Sequence, residues 1–140
     1  DSTLRRLVTE LGLADRVIFT GQIPYDDLPD YLKMGDVAIN PFMPELLTHV
    51  ALPHKVLQYM AAGVPVVSTS LDGLRGVLGD ASGVTWVPGP HAVLKAATHL
   101  AYRDPAELAG ISANQRSYVA SKFSKEASVT SLESSLAALL

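Results

Sequence analysis

One stretch of the sequence, residues 52–70 (LPHKVLQYMAAGVPVVSTS), predicts a helix, a tight turn and a buried strand in immediate succession. Pro53 is typical of a helix start, because its missing N–H would be unpaired there in any case. Gly63 is typical of a helix end, where glycine adopts the left-handed conformation at little cost. The apolar run over residues 64–69 then predicts the strand. This stretch is therefore the helix–strand corner of an α/β protein.

The predicted helix places three side chains on one face, because Lys55, Gln58 and Ala62 are spaced at i, i+3 and i+7. A lysine in the first turn of a helix is suited to binding phosphate, since free N–H groups and the helix dipole both favour an anion. The alternative is an ordinary corner with a solvated lysine. Helix chemistry alone favours that second interpretation.

Short apolar runs alternate with helical patterns along the rest of the chain, which predicts βαβ units and a parallel sheet. Further strands are predicted at residues 17–20, 37–40 and 84–87. Helices are predicted at residues 1–12, 29–35, 91–102, 105–123 and from 124 onward. A loop is predicted at 42–52, and a loop with room for about one helical turn at 71–83. Right-handed crossovers then give one Rossmann-like, three-layer αβα domain over residues 1–140, with C-terminal helices in residues 91–140.

Two features of the C-terminal half are predicted to belong to the core. Trp86 lies in the strand at residues 84–87. Leucines at helical spacing form a stripe on the last helix: Leu132, Leu136 and either Leu139 or Leu140. A dimer surface would show the same pattern.

Composition excludes several classes of protein. The 140 residues include 48% hydrophobic and 18% charged side chains, which is typical of a globular protein. The net charge is −3, without a basic run, so neither nucleic acid nor an anionic membrane is the expected main partner. The absence of cysteine excludes disulfides and thiolate metal sites, and the four histidines lack the spacing of metal ligands. No apolar run approaches the ~20 residues that span a bilayer.

Three sequence motifs in this order resemble the C-terminal, nucleotide-sugar-binding domain of GT-B glycosyltransferases of the family-4 type. They are DRVIFTGQIP, DVAINPF and PHKVLQYMAAGVPVVST, and the similarity extends over residues 11–87. Enzymes of this family have two Rossmann-like domains, and the C-terminal one holds the donor nucleotide in the cleft between them. The resemblance favours the phosphate site over the solvated lysine.

The resemblance implies a role for several residues near the phosphates. Lys55 would approach the donor diphosphate and stabilise it during catalysis, helped by the first-turn N–H groups that follow Pro53. His54 is a further candidate phosphate ligand, the alternative being a solvated side chain without a role. Gly73, in the segment 73–76, would lie close to the phosphates. No metal site is implied, because such enzymes generally bind their donors without an essential bound metal.

The nucleoside would be bound by residues on either side of the same helix. Ile23 would offer backbone groups to the base, and Gln58 would bind the ribose hydroxyls. The family usually has a glutamate where Gln58 stands, and many members have a second glutamate where Val50 stands. An amide has one oxygen acceptor where a carboxylate has two, so nucleotide affinity would be lower. Glu45 and His49 are nearby candidates to replace the second glutamate.

The function implied is transfer of a sugar from a UDP- or GDP-sugar to an acceptor, with retention of configuration and without a cofactor. The product would be a glycan, polysaccharide or glycolipid made in the cytoplasm or at the cytoplasmic face of a membrane. The acceptor would bind a missing N-terminal domain, which could also associate with the membrane, so the isolated chain would be inactive. The alternatives are a non-catalytic binding or assembly module and, less directly, a nucleotide-sugar epimerase.

The resemblance also implies that the chain begins just before the family's third strand, without counterparts of the first two. The family's sheet places those two strands between the third and the fourth. Three arrangements follow: a gap in the sheet, a different pairing, or a partner chain that fills the gap. An unfilled gap would expose strand edges and promote self-association.

Overall fold

The computed structural model describes residues 2–138 and contains, within that range, eight α-helices and three β-strands. The helices are α1 (Ser2–Glu10), α2 (Leu28–Lys33), α3 (Leu46–Val50), α4 (His54–Ala62), α5 (Asp72–Leu78), α6 (Pro90–Ala101), α7 (Pro105–Phe123) and α8 (Lys125–Ala137). The strands are β1 (Ala38–Asn40), β2 (Val66–Thr69) and β3 (Thr85–Val87). None of the helices in this range is long and apolar enough to cross a bilayer.

The three strands form one parallel sheet in the order β1-β2-β3, which confirms the predicted α/β class. The strand β2 is central, because Ser68 is paired in register with Asn40 of β1 on one side and with Trp86 of β3 on the other. All four residues of β2 are buried. The long apolar run after Gly63 is therefore explained by a strand that is covered on both faces.

Helices cover both faces of this sheet, so the predicted three-layer αβα arrangement is confirmed. Adjacent residues of a strand point to opposite faces. Val66 accordingly packs with Val56 and Met60 of α4, in a core that also includes α5. Val67 packs on the other face with Val93 and Leu100 of α6. Helix α7 contributes partly buried side chains to both cores.

The helix–strand corner forms as predicted, with a shift of one residue at its start. Gly63 ends α4 in the left-handed conformation, with φ of 74°. Helix α4 begins at His54, and Pro53 is the residue before it, with φ of −66° and an extended ψ of 109°. The proline still sets the direction in which the helix starts.

The prediction of a strand at residues 17–20 is wrong, because this segment has no neighbouring strand with which to form hydrogen bonds. It lies instead beside α1, with the Arg5 guanidinium 4.4 Å from the centroid of the Phe19 ring. Within residues 2–138 the sheet begins at β1, so a gap, one of the three arrangements considered, does not occur there, and one edge of β1 has no neighbouring strand. Apolar side chains remain exposed near this end of the chain, with Ile18 88% exposed.

Both predicted loops contain helices. In the segment 42–52, α3 is held by a capping box: the Glu45 side chain accepts from the Thr48 backbone, and the Glu45 N–H donates to the Thr48 hydroxyl at 2.8 Å. In the segment 71–83, α5 forms because Leu74 and Leu78, four residues apart, are both buried in the core. A short 3-10 helix, Asp80–Ser82, follows. Packing of these leucines outweighs the flexibility of the neighbouring glycines.

The predicted leucine stripe of the last helix is not part of the core, because Leu132 and Leu136 are both largely exposed. Leu139 and Leu140 lie outside the described residues, as does the possible helix cap Asp1. Trp86, also expected in the core, is partly buried against it.

Candidate functional site

The start of α4 leaves its first backbone N–H groups without a side-chain acceptor. Pro53 supplies no side-chain cap, and the first hydrogen bond of the helix runs from the Val56 N–H to the Pro53 carbonyl, at 3.0 Å. The N–H groups of His54 and Lys55 precede this bond. They therefore form the positive end of the helix dipole and can donate to an anion.

The Lys55 side chain is partly buried beside this helix start and lies over an aromatic ring. Its Nζ atom is 3.9 Å from the centroid of the Phe42 ring. In the part of the chain that the structure describes, Lys55 forms no ion pair with a carboxylate. Desolvation by burial lowers the pKa of the Lys55 ammonium from its ordinary value. A cation that is partly desolvated and has no carboxylate partner is suited to binding an anion.

Gln58 lies one helical turn beyond Lys55 and lines a cleft of about 390 Å³ between α2 and α4. The cleft is mainly apolar, with Gln58, Lys33 and the Tyr25 hydroxyl as its hydrogen-bonding groups. Its remaining walls are formed by Tyr25, Leu28, Pro29, Leu32, Ala61 and Ala62. An apolar cleft with few polar groups is typical of a small-molecule site.

Ile23 lines a second cavity of about 450 Å³, which is next to the first. Gln22 and Pro24 also line it, and Tyr25 and Leu28 border both cavities. Ile23 and Gln58, for which the family resemblance implies contacts to the base and the ribose, thus line neighbouring cavities. Lys55 lines neither cavity and lies one helical turn before Gln58 on α4.

The remaining predicted site residues have different surroundings. The side chain of His54 is exposed at the first position of α4. Gly73 lies in the first turn of α5 and not in an open loop, and a Cβ atom there would collide with the His49 carbonyl oxygen and the Val50 backbone. Helix α3 therefore fills the space above Gly73.

The two candidate replacements for the missing glutamate are both engaged within the chain. Glu45 caps α3. The His49 Nδ1 atom lies 3.1 Å from the Asp72 carboxylate and 3.4 Å from the Asp72 backbone nitrogen. Together with the close approach at Gly73, these contacts hold α3 against the start of α5.

We expect Gly73→Ala to displace α3, because the added methyl group would meet backbone atoms of α3 that cannot move independently. Amide hydrogen exchange should show faster exchange over residues 45–51, where local opening becomes easier. Gly76→Ala is the matched control, since it lies in the same helix with no atom within 4 Å of the added carbon. Equal exchange in the two variants would contradict the close contact between α3 and α5.

Sequence reasoning missed the partner of Lys55 and most of the cleft. From the sequence alone, aromatic residues such as Phe42 and Tyr25 could either pack a loop or stack on a ligand. Phe42 in fact does pack against the core, while its ring also contacts Lys55. Tyr25 borders both cavities and is largely exposed. Phe42 follows the end of β1 by two residues, but only the folded chain brings its ring to Lys55.

Comparison with known proteins gives a consistent result. The sequence matches the family described as Glycosyl transferases group 1 over residues 1–104. It is 30% identical over 117 residues to a 2-deoxystreptamine glucosyltransferase from Streptomyces kanamyceticus, covering 83% of this chain and 29% of that protein. It is 36% identical over 92 residues to a GDP-mannose-dependent alpha-(1-6)-phosphatidylinositol monomannoside mannosyltransferase from Mycolicibacterium smegmatis, covering 59% of this chain and 24% of that protein. The chain thus spans less than a third of the length of these relatives.

Two solved structures are similar over most of the chain. A sucrose-phosphate synthase from Thermosynechococcus elongatus aligns with a TM-score of 0.72 and 28% identity, covering 98% of this chain and 34% of that one. The C-terminal domain of a glycosyl transferase group 1 family protein from Francisella tularensis aligns with a TM-score of 0.70 and 19% identity, covering 89% of this chain and 62% of that one. The second likeness shows the fold alone.

Proposed function

Since this chain belongs to the glycosyl transferases group 1 family, we propose that it binds the nucleotide-diphosphate sugar donor of a glycosyltransferase. The observation that carries the proposal is the Lys55 ammonium, partly buried and without a carboxylate partner among residues 2–138, beside the uncapped start of α4. Cation and helix dipole both favour a diphosphate there.

The same groups supply the chemistry that sugar transfer requires. As the bond between the anomeric carbon and the diphosphate oxygen breaks, its electron pair remains on the departing nucleoside diphosphate. The acceptor hydroxyl forms the new bond to the anomeric carbon, and its proton passes to an oxygen of the departing diphosphate. Lys55 and the first N–H groups of α4 stabilise the charge that develops on the diphosphate, and this stabilisation lowers the barrier.

In this proposal the nucleoside extends from Lys55 along α4 towards α2. The Gln58 amide hydrogen-bonds the ribose, and the base lies against the walls near Ile23 and Tyr25. The residues that line the two cavities support this direction. His54 and the backbone after Pro53 complete the phosphate end. In this proposal Gly73 lies near the phosphates, and its lack of a side chain also leaves room for the α3 backbone.

We extend the proposal to the whole enzyme on the basis of the family. The donor is a UDP- or GDP-sugar, bound without a further cofactor, and the sugar is transferred with retention of configuration. A separate N-terminal domain binds the acceptor, so the isolated chain binds the donor without turnover. The enzyme works in the cytoplasm or at the cytoplasmic face of a membrane, on a glycan, polysaccharide or glycolipid. The M. smegmatis relative, whose name specifies GDP-mannose, supports a nucleotide-sugar donor.

A non-catalytic binding module is the second candidate function. It is favoured by the amide of Gln58 where the family usually has a carboxylate, and by the apolar, exposed side chain of Val50 at a second such position. A module of this kind would bind no nucleotide sugar with useful affinity. Nucleotide binding therefore separates the two functions.

We predict that UDP or GDP binds the chain and that Lys55→Ala weakens this binding at least about tenfold, because a charge-assisted contact to the diphosphate is lost. Isothermal calorimetry with UDP, GDP and ADP measures the effect. Lys95→Ala is the control, because Lys95 is an exposed lysine on α6 and should leave the affinity unchanged.

Two results would count against the proposal. Unchanged affinity in Lys55→Ala would remove the phosphate role of this lysine. A folded chain that none of the three nucleotides binds would favour the non-catalytic module.

A further inference from the structure

The ring of Phe42 is held in place independently of Lys55. Phe42 follows the end of β1 by two residues, and its partly buried side chain packs against the core that includes Val56 and Met60 of α4. A ring fixed by the core presents its face at one position. Lys55 lies over that face, with its Nζ atom 3.9 Å from the ring centroid.

A free lysine side chain has many conformations, and binding an anion requires one of them. Attraction between an ammonium and an aromatic face is strong enough to favour one position of the side chain. We propose that Phe42 is a positioning residue for the donor site, whose ring holds the Lys55 ammonium beside the start of α4 before the diphosphate binds. This inference rests on the proposed function, because it assigns Lys55 to the diphosphate.

An aromatic ring is better suited to this task than a carboxylate. An aspartate or glutamate at the same place would hold the lysine, but it would also offset the charge and occupy the N–H donors that the diphosphate needs. The face of Phe42 carries no net charge and accepts no conventional hydrogen bond. Lys55 is therefore positioned while its three donors and its charge remain available to a ligand.

Phe42→Leu keeps an apolar side chain against the core and removes the aromatic face. We expect this variant to bind UDP or GDP about threefold to tenfold more weakly, because Lys55 then loses conformational entropy when the ligand binds. Phe42→Tyr retains the ring and should stay within about twofold of the original affinity. Calorimetry on the 140-residue chain measures both, and circular dichroism verifies that each variant is folded.

A double-mutant cycle with Lys55→Ala tests whether the ring acts through the lysine. In the Lys55→Ala background, Phe42→Leu should have no further effect on affinity. If Phe42→Leu unfolds the chain, Phe42→Met replaces it in the cycle, because methionine also lacks a ring but adapts better to core packing.

The outcomes separate this inference from the proposed function. If Lys55→Ala weakens binding and the folded ringless variant does not, the positioning role of Phe42 is overturned and the phosphate site stands. An equal loss of affinity with and without Lys55 also overturns it, since the ring would then act by another route. If Lys55→Ala has no effect, both proposals fail.

Discussion

Replacing Met60 with alanine is expected to lower the free energy of unfolding by about 2–5 kcal/mol, the usual range for removing a long core side chain. Met60 is fully buried between α4 and the sheet, in the core that also contains Val66 and Leu74. Small domains have a total stability of about 5–15 kcal/mol, so the loss is a large fraction. The midpoint of urea unfolding measures it, with the slope of the transition unchanged.

Met34→Ala is the matched control, because it makes the same chemical change at a methionine that is 71% exposed. Its effect should stay within about 0.5 kcal/mol. A similar, small effect of both substitutions would mean that α4 is not fixed to the sheet through Met60. Helix α4, which carries Lys55 and Gln58, would then lack this attachment to the sheet.

Replacing Gly63 with alanine is expected to lower the free energy of unfolding by about 1–2 kcal/mol, because the residue has a positive φ of 74°, which disfavours a side chain. The new Cβ atom would also meet the guanidinium of Arg116, which lies over this turn. Since that guanidinium is the far end of a flexible side chain, the backbone conformation should account for most of the loss. Thermal and urea unfolding measure the effect.

Gly110→Ala is the control with the opposite expected sign. Gly110 lies inside α7 with open space around it, so alanine should stabilise the chain by about 0.5–1 kcal/mol. The double variant Gly63→Ala/Arg116→Ala removes the steric contribution of the guanidinium to the loss of stability. If it recovers the original stability, the strain at Gly63 is steric and not conformational.

The corner from Pro53 to the end of β2 was predictable because every signal in it is local. A proline before the helix, a glycine after it and an apolar run do not depend on distant residues. The spacing of Lys55 and Gln58 placed them on one face of the helix for the same reason. The fold class followed from the alternation of short apolar runs with helical patterns, and the family from the resemblance of three motifs; both are confirmed.

The failures concern features that depend on distant parts of the chain. Residues 17–20 have the composition of a strand, but a strand also requires a neighbour, and the described residues supply none. The glycines around Leu74 indicate a loop, yet the helix forms because Leu74 and Leu78 reach the core. The short helix α3 lies in a segment without helical periodicity, and its capping box has glutamate at the N-cap and threonine three residues later, the reverse of the usual sequence order.

In the candidate site, too, the local features were predictable and the contacts between distant segments were not. Lys55 and Gln58 come from one helix, so spacing placed them on one face, while their roles at the diphosphate and the ribose rest on the family resemblance. The cleft beside them also needs residues of α2, and the partner of Lys55 comes from the segment after β1. No local pattern joins these segments, because their proximity results from the packing of the helices on the sheet.

The way in which α7 is attached has a consequence for how this sequence can change over time. The side chains of Asn114, Gln115 and Tyr118 donate to main-chain carbonyls of Ala81, Gly83 and Leu78, respectively. Every residue type has such a carbonyl, so these three bonds by themselves impose no amino-acid identity on the accepting segment. The selective constraint falls on the three donors. Mutational drift should therefore be asymmetric across this contact, faster at a position such as Ala81 than at Gln115.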